Sequence, residues 1–406
     1  MKTILILLYS LAIALSIKAQ ESDHNKHLGL YFDMQLEAGS ENVSAKFLNR
    51  YINGGAISQE VKDGFTDKLK SKNLAGALWV TDLNFKIYSG KSSYNRKSFN
   101  VIGFENYYQY EAEFSKDMFL LYFNGNKQFE DKKADLSNMT FSQLKFQTFK
   151  VGIYRVLNHF GLGVNGGLVF GQNYLEINSG ASSLYTAPFG QYITLDIEAS
   201  GKNSLLDKDK FLSLAGVGLS FDFKLEYIFN EDAYFGIKVD RLGKIKFNDN
   251  SLQSVDTSYK FEGIVVKNLL DSFAIDLKSP QEFRDDLVQT SSIKNVSKSL
   301  PAAYTFYFNY YFINKKLRYY SQLKYIPSTL YKISFQNQLE LNLFKSLQFG
   351  LCAGVGAYSN WNIGVSAGIK AGKFLFIGAE ANSLLNFSNL DGPASAIGAI
   401  RAHISF

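Results

Sequence analysis

Apolar and polar residues alternate with a period of two along most of this chain. From Val217 onward, Val217, Leu219, Phe221, Phe223, Leu225, Tyr227 and Phe229 fall on one face, and Gly218, Ser220, Asp222, Lys224 and Glu226 on the other. A charge at every second position would break the apolar stripe of a helix, whereas a strand with one face in lipid and one in water requires it. The pattern recurs. Leu28, Leu30, Phe32, Met34 and Leu36 alternate with Tyr31, Asp33, Gln35 and Glu37. Ile333, Phe335, Leu339, Leu341 and Leu343 alternate with Lys332, Ser334, Gln336, Gln338 and Glu340, with Asn337 as a polar intruder. Residues 347–355 and 361–369 alternate in the same way. Shorter stretches at 79–87, 160–170, 191–199, 233–239 and 302–312, and blurred ones near Val101, Leu120, Leu144, Leu323, Ile377 and Ile400, fill the intervals. The prediction is all-β: a transmembrane antiparallel β-barrel of about 14 strands (roughly 12 to 16), each crossing the membrane in about 10 residues.

A soluble sandwich also alternates, and composition separates the two. The chain has 406 residues but 5 Pro, too few for the many tight turns of a sandwich. Its 35 Phe and 25 Tyr against 2 Trp give 15% aromatics, and these gather near strand ends, as at Tyr107, Tyr108 and Tyr110, at Tyr310, Tyr311 and Phe312, and at Tyr319 and Tyr320. Such groups match the aromatic girdles of a membrane barrel, and Tyr108, Tyr311 and Tyr320 are assigned to them. The closing residues AIGAIRAHISF place Ile400, Ala402, Ile404 and Phe406 on one face, and Phe406 reads as the signal used by the barrel-assembly machinery.

The start, MKTILILLYSLAIALSIKAQ, has one lysine, an apolar stretch from Ile4 to Ile17 and a small residue at Ala19. It reads as a signal peptide over 1–19, with the barrel spanning 20–406. No later run of about 18 apolar residues offers a membrane helix. Two stretches break the strand rhythm. Residues 42–73 mix helical spacing with a break at Gly54 and Gly55. Residues 265–297 contain Ser279, Pro280 and Glu282, which suit an N-cap, a first helical position and a capping box. Both are expected as short helical insertions, either at a rim or as a plug. Residues 131–135 and 202–210 are charged connections, read as solvated loops.

Charge and candidate chemistry narrow the function. One cysteine, Cys352, excludes an intramolecular disulfide framework. His24 and His27 read as solvated linker, and His159 and His403 have no motif-level partner, so no metal site, cofactor or catalytic set is expected and the chain is read as no enzyme. The net charge of +6 is spread along the chain and points to no nucleic-acid partner. Pairs such as Gly161 with Gly163 and Gly216 with Gly218 lack the strand-to-helix context of a phosphate loop and are read as small inward positions. The polar strand faces carry Asp222, Lys224, Glu226, Lys332, Glu340 and Lys370, which are assigned to the lumen. Their mixed sign differs from a constriction dominated by one charge.

In the signal segment ending KAQ, in DAYFGIKVDRLGKIKF, SLPAAYTFYFNYYF and KFLFIGAEANSLL, and in the closing RAHISF, the chain resembles outer-membrane barrels of Bacteroidota related to long-chain fatty-acid transporters and to barrel partners of the type IX secretion system. The resemblance covers nearly the whole chain and is closest to members with no assigned function. It implies a Gram-negative outer-membrane location, contact with outer-membrane lipid and with the barrel-assembly machinery during biogenesis, and a possible envelope complex. Transporters of that type would carry an N-terminal hatch in the barrel. Here the first strand begins at Leu28, so the candidate plug moves to 42–73. Two functions stand: a channel or transporter for small or amphipathic solutes, and a non-catalytic subunit of a larger outer-membrane assembly.

Overall fold

The computed structural model describes residues 28–406 apart from 53, 94–95, 205–213, 249, 262–288, 294, 328, 344–345, 373 and 385–390. The signal segment, His24, His27, Ser279, Pro280 and Glu282 lie outside the described residues. In chain order the elements begin β1 (Leu28–Ser44), α1 (Ala45–Ile52), α2 (Gln59–Thr66), β2 (Lys72–Ser93), β3 (Arg96–Ser115), α3 (Lys116–Asn124), β4 (Lys132–Asp135), β5 (Thr140–Leu157), β6 (Phe160–Ser179) and β7 (Ser183–Thr186). There follow β8 (Ile193–Ser204), β9 (Gly216–Ile228), β10 (Ala233–Phe247), β11 (Asn250–Phe261), β12 (Gln289–Ile293), β13 (Val296–Ser299) and β14 (Ala303–Phe312). The last are β15 (Leu317–Tyr325), β16 (Lys332–Leu343), β17 (Leu347–Ala357), β18 (Ser359–Ala371), β19 (Leu375–Ala381) and β20 (Pro393–Ser405).

Fourteen strands close a ring. The antiparallel order is β1, β2, β3, β5, β6, β9, β10, then β14 through β20, and β20 returns to β1 with Gly29 opposite Ser405 and Gly39 opposite Ser395. Closure satisfies every wall strand's backbone on both sides, which a sheet in hydrocarbon must do. The alternation assigns the faces as the sequence does. On β9, Val217, Leu219, Phe221, Phe223 and Leu225 are 43% to 55% exposed, whereas Ser220, Asp222 and Glu226 are 1% to 5% exposed.

The two rims differ. One carries short turns at 158–159, 229–232 and 313–316. Leu28 and Phe406 meet there, the Phe406 N–H donating to the Leu28 carbonyl at 2.9 Å. The other rim carries the long connections. There β2 runs for 22 residues, roughly 70 Å at ~3.3 Å per residue, so the β2–β6 side of the barrel projects beyond an apolar band of about 25 Å. Smaller strands continue this projection: β8 pairs with the tip of β6 and with β11 and β7, β11 with β12, and β7 with β4.

Several expectations need correcting at this rim. Of residues 191–199, those from Ile193 fall in β8, outside the ring, because their alternation serves a rim sheet. The apolar run near Leu120 is the helix α3: the Ser115 hydroxyl oxygen caps it by accepting from the Met118 N–H at 3.0 Å, and Gly125 ends it at φ 79°. The charged residues 131–135 include β4, paired with β7 and burying Ala134 completely. Residues 289–293 and 296–299 of the second insertion are the strands β12 and β13. The first insertion is helical, with Ser44 accepting from the Phe47 N–H at 3.2 Å. It packs Phe47, Val61 and Leu69 with Val43 and Phe119 into a small core of its own, and none of its described residues joins the apolar cluster inside the barrel. At Asp196 on β8, the Ser258 hydroxyl at 2.6 Å and nearby Lys133 hold the carboxyl below its ordinary range.

Candidate functional site

The inward face divides into two zones. Across the middle lies a belt of ions. Lys150 on β5 reaches Glu105 at 2.9 Å and Asp222 at 3.1 Å, and it is only 7% exposed. Arg241 joins the same cluster, its guanidinium 3.3 Å from Glu105 and its backbone N–H donating to Asp222 at 2.8 Å. Lys238 pairs with Asp240 at 2.9 Å. Lone buried charges would each cost several kcal/mol to desolvate, so the cluster holds only as a set.

Local backbone makes these reaches possible. The β9–β10 register shifts between Val239 and Leu242, and Arg241 in that bulge has φ 61°. A positive φ at a bulky residue costs about 1–3 kcal/mol. Here it aims both the Arg241 N–H and its guanidinium at carboxylates and lets Nε donate to the Pro301 carbonyl at 3.3 Å. Glycines on β6 let side chains from its neighbours β5 and β9 meet across it. A methyl group at Gly161 would sit 2.2 Å from the Tyr154 hydroxyl, which donates to Glu226 at 2.5 Å. Glu226 also accepts from Arg96 at 2.8 Å and from the Tyr307 hydroxyl at 2.8 Å, and it pairs with Lys224 at 3.2 Å.

Toward the long-loop rim the lumen is closed by an apolar cap. Leu78, Tyr107, Phe146 and Ile245 of the wall pack with Leu300, Ile326, Tyr331 and Tyr358, all at most 5% exposed. Those last four belong to connections, not to strands, and carboxylates of the wall hold two of them. Glu37 accepts from the Tyr331 hydroxyl at 2.5 Å and pairs with Lys324 at 2.8 Å. Glu111 accepts from the Tyr358 hydroxyl at 2.7 Å and from the Leu330 N–H at 3.0 Å. Tyr358 is the one-residue link between β17 and β18, and it turns inward because Gly356 and Ala357 take φ of 97° and 60°. A Cβ at Gly76 would lie 2.2 Å from the Tyr358 ring, so only glycine leaves the ring its place.

Beneath the cap, among the described residues, lie a cavity of about 430 Å³ beside the ion belt and one of about 350 Å³ against β15–β18 and β20, both bounded by Asp33, Gln35, Tyr320 and Gln322. A third, of about 390 Å³, opens at the short-turn rim between Lys86, Arg96, Lys97, Lys224 and Glu226.

Asp222, Lys224 and Glu226 come together in the belt and at this mouth. Glu340 pairs with Arg318 at 2.8 Å, Lys370 donates to Asn342 at 3.0 Å, and Lys332 reaches Glu41 at the long-loop rim. Tyr108 faces outward beside Trp79, the ring centroids 6.1 Å apart. Tyr320 does not join it: it lines both cavities and donates to Gln322 at 3.0 Å. Tyr311 shares the inward parity of Tyr307 and Asn309 and stands opposite Arg318. Aromatics occupy both faces of β14 and β15, so clustering near strand ends does not assign a face. Sequence reasoning also passed over Glu105, Glu111, Lys150 and Arg241. The first two recur at even spacing with Gln109, and Arg241 marks its own bulge, since Val239 and Leu242 resume the outward face three residues apart. His159 Nδ1 lies 2.7 Å from the Ile228 carbonyl in a turn, and His403 stacks between Tyr31 and Phe376.

Residues 19–380 match a family described only as being of unknown function, DUF5723. The chain belongs to that family. No curated protein matches its sequence. Among solved structures, this DUF5723 member is similar to the Ralstonia pickettii toluene transporter TbuX, at 9% identity and a TM-score of 0.47 over 94% of this chain and 90% of that one. It is similar also to the Pseudomonas putida toluene transporter TodX, at 8% identity and a TM-score of 0.42 over 94% and 91%. A Pseudomonas aeruginosa FadL homologue matches at 8% identity and a TM-score of 0.42 over 93% and 89%. Toluene is the cargo of those named transporters; in this chain the lumen wall itself supplies the chemistry.

Proposed function

We propose that this protein sits in the outer membrane of a Gram-negative cell as a channel or transporter for small solutes, with the apolar cap as its gate. The observation that carries the reading is the pairing of a polar, cavity-bearing lumen with a closure made of connections and held by side-chain hydrogen bonds from Glu37 and Glu111. The outward apolar face of every wall strand supports the location. The short turns of one rim support reading it as periplasmic and the capped rim, with the long connections, as exterior. Phe406, 42% exposed and paired to Leu28 at the periplasmic rim, is proposed as the residue read during barrel assembly.

In planar bilayers the purified protein is expected to give rare, small conductance steps, and Tyr358→Ala to give large, persistent ones. Silence from both proteins, with no solute uptake into liposomes, would overturn the channel. A second reading, an accessory subunit of an envelope assembly, is favoured by the projecting rim sheet and by Phe189, 91% exposed at φ 57° on its tip. Purification in mild detergent that returns only the free monomer counts against it.

A further inference from the structure

The smaller cavity differs in kind from the ion belt. Its charged side chains are largely paired, with one carboxylate in excess: Asp33 and Glu380 share the Arg401 guanidinium at 3.7 and 3.2 Å, Glu37 pairs with Lys324 and Arg318 with Glu340. The rest of its polar wall is amide. Gln336 accepts from Gln322 at 2.9 Å, Gln338 donates to Ser366 at 3.1 Å, and the Asn362 oxygen accepts from Ser359 at 3.1 Å and Ser395 at 2.7 Å. Gln35 donates to Asp33 at 3.4 Å and Asn382 to Glu380 at 2.5 Å. Each of these five amides uses one polar atom and leaves the other without a protein partner among the described residues. At Asn382 that atom is a fully buried carbonyl oxygen. An amide carries donors on one atom and acceptor lone pairs on the other, so unused atoms of both kinds are spread over one wall beside the Tyr320 ring.

We infer that this cavity is a binding site for a neutral, polyhydroxylated solute of the saccharide type. Hydroxyls both donate and accept, so they complement amides of mixed polarity. An organic anion would meet a wall whose carboxylates already outnumber its cations by one. An apolar solute would leave the buried amide atoms unpaired, at about 1–3 kcal/mol for each group. The volume of about 350 Å³ falls in the range of small-molecule sites, roughly 300–1,000 Å³. The inference deepens the proposed channel by naming a substrate class, but binding does not require conduction.

The test uses the full-length protein in a detergent without sugar, such as an amine oxide, titrated calorimetrically with maltose and, separately, with glucuronate. Maltose is expected to bind and glucuronate to bind at least tenfold more weakly. The double variant Gln336→Leu, Gln338→Leu, which keeps the heat-modifiable gel band of a folded barrel, is expected to lose maltose affinity at least tenfold, while Lys238→Met beside the other cavity keeps it. No maltose binding by folded wild-type protein, or affinity unchanged in the double variant, overturns the inference. Conductance without maltose binding sinks this site and leaves the channel standing. Maltose binding by a barrel that never conducts supports the site and removes the channel.

Discussion

Lys150 shows how far a single side chain commits this barrel. It neutralises two carboxylates on different strands, β3 and β9, and is nearly inaccessible. Lys150→Met is expected to destabilise the folded barrel by about 3–5 kcal/mol, because Glu105 and Asp222 stay buried with less compensation; denaturant midpoints in detergent measure it. Gly76 acts by what it lacks. Gly76→Ala puts a methyl group where the Tyr358 ring now lies and is expected to raise channel activity in bilayers without changing the folded band on gels. Neither residue declares this in the sequence. Lys150 lies in a stretch whose alternation is blurred by Phe146 and Tyr154 on the same inward face, and the use of Gly76 depends on a tyrosine 282 positions further along the chain.

At the scale of elements, strand identity was legible wherever one face meets lipid and the other meets fixed charge, as on β9 and β16. Where both faces hold aromatics, as on β14, a strand could be found but its faces could not. The helix α3 was misread because its run Met118, Phe119, Leu120, Leu121, Tyr122 and Phe123 is apolar throughout and carries no period. Its start is marked by Ser115, whose hydroxyl also donates to the Asp135 carbonyl at 2.6 Å. Ser115→Ala removes the cap, worth about 1 kcal/mol. Faster proteolysis within 116–139 is expected while the heat-modifiable band persists, since α3 packs in the rim core and not in the wall. The cap over the lumen was beyond sequence reading for a different reason. Leu300, Ile326 and Tyr358 belong to three connections, and only ring closure brings those together.

For the molecule as a whole, the aromatic content that first pointed to a membrane barrel divides between lipid face, lumen and cap. Its two tryptophans, Trp79 and Trp361, both face outward, 47% and 73% exposed. Brominated acyl chains are therefore expected to quench most of the intrinsic fluorescence in liposomes. A fluorescence that only aqueous quenchers reach would contradict the membrane assignment. The lone cysteine offers the complementary measurement. Cys352 lines the smaller cavity beneath the cap and is 5% exposed. The chain thus carries one native thiol, and from the long-loop side it lies behind the cap. In intact cells a bulky maleimide supplied from outside should leave the native barrel unlabelled and should label Tyr358→Ala, so the time course of that reaction reads how often the cap opens.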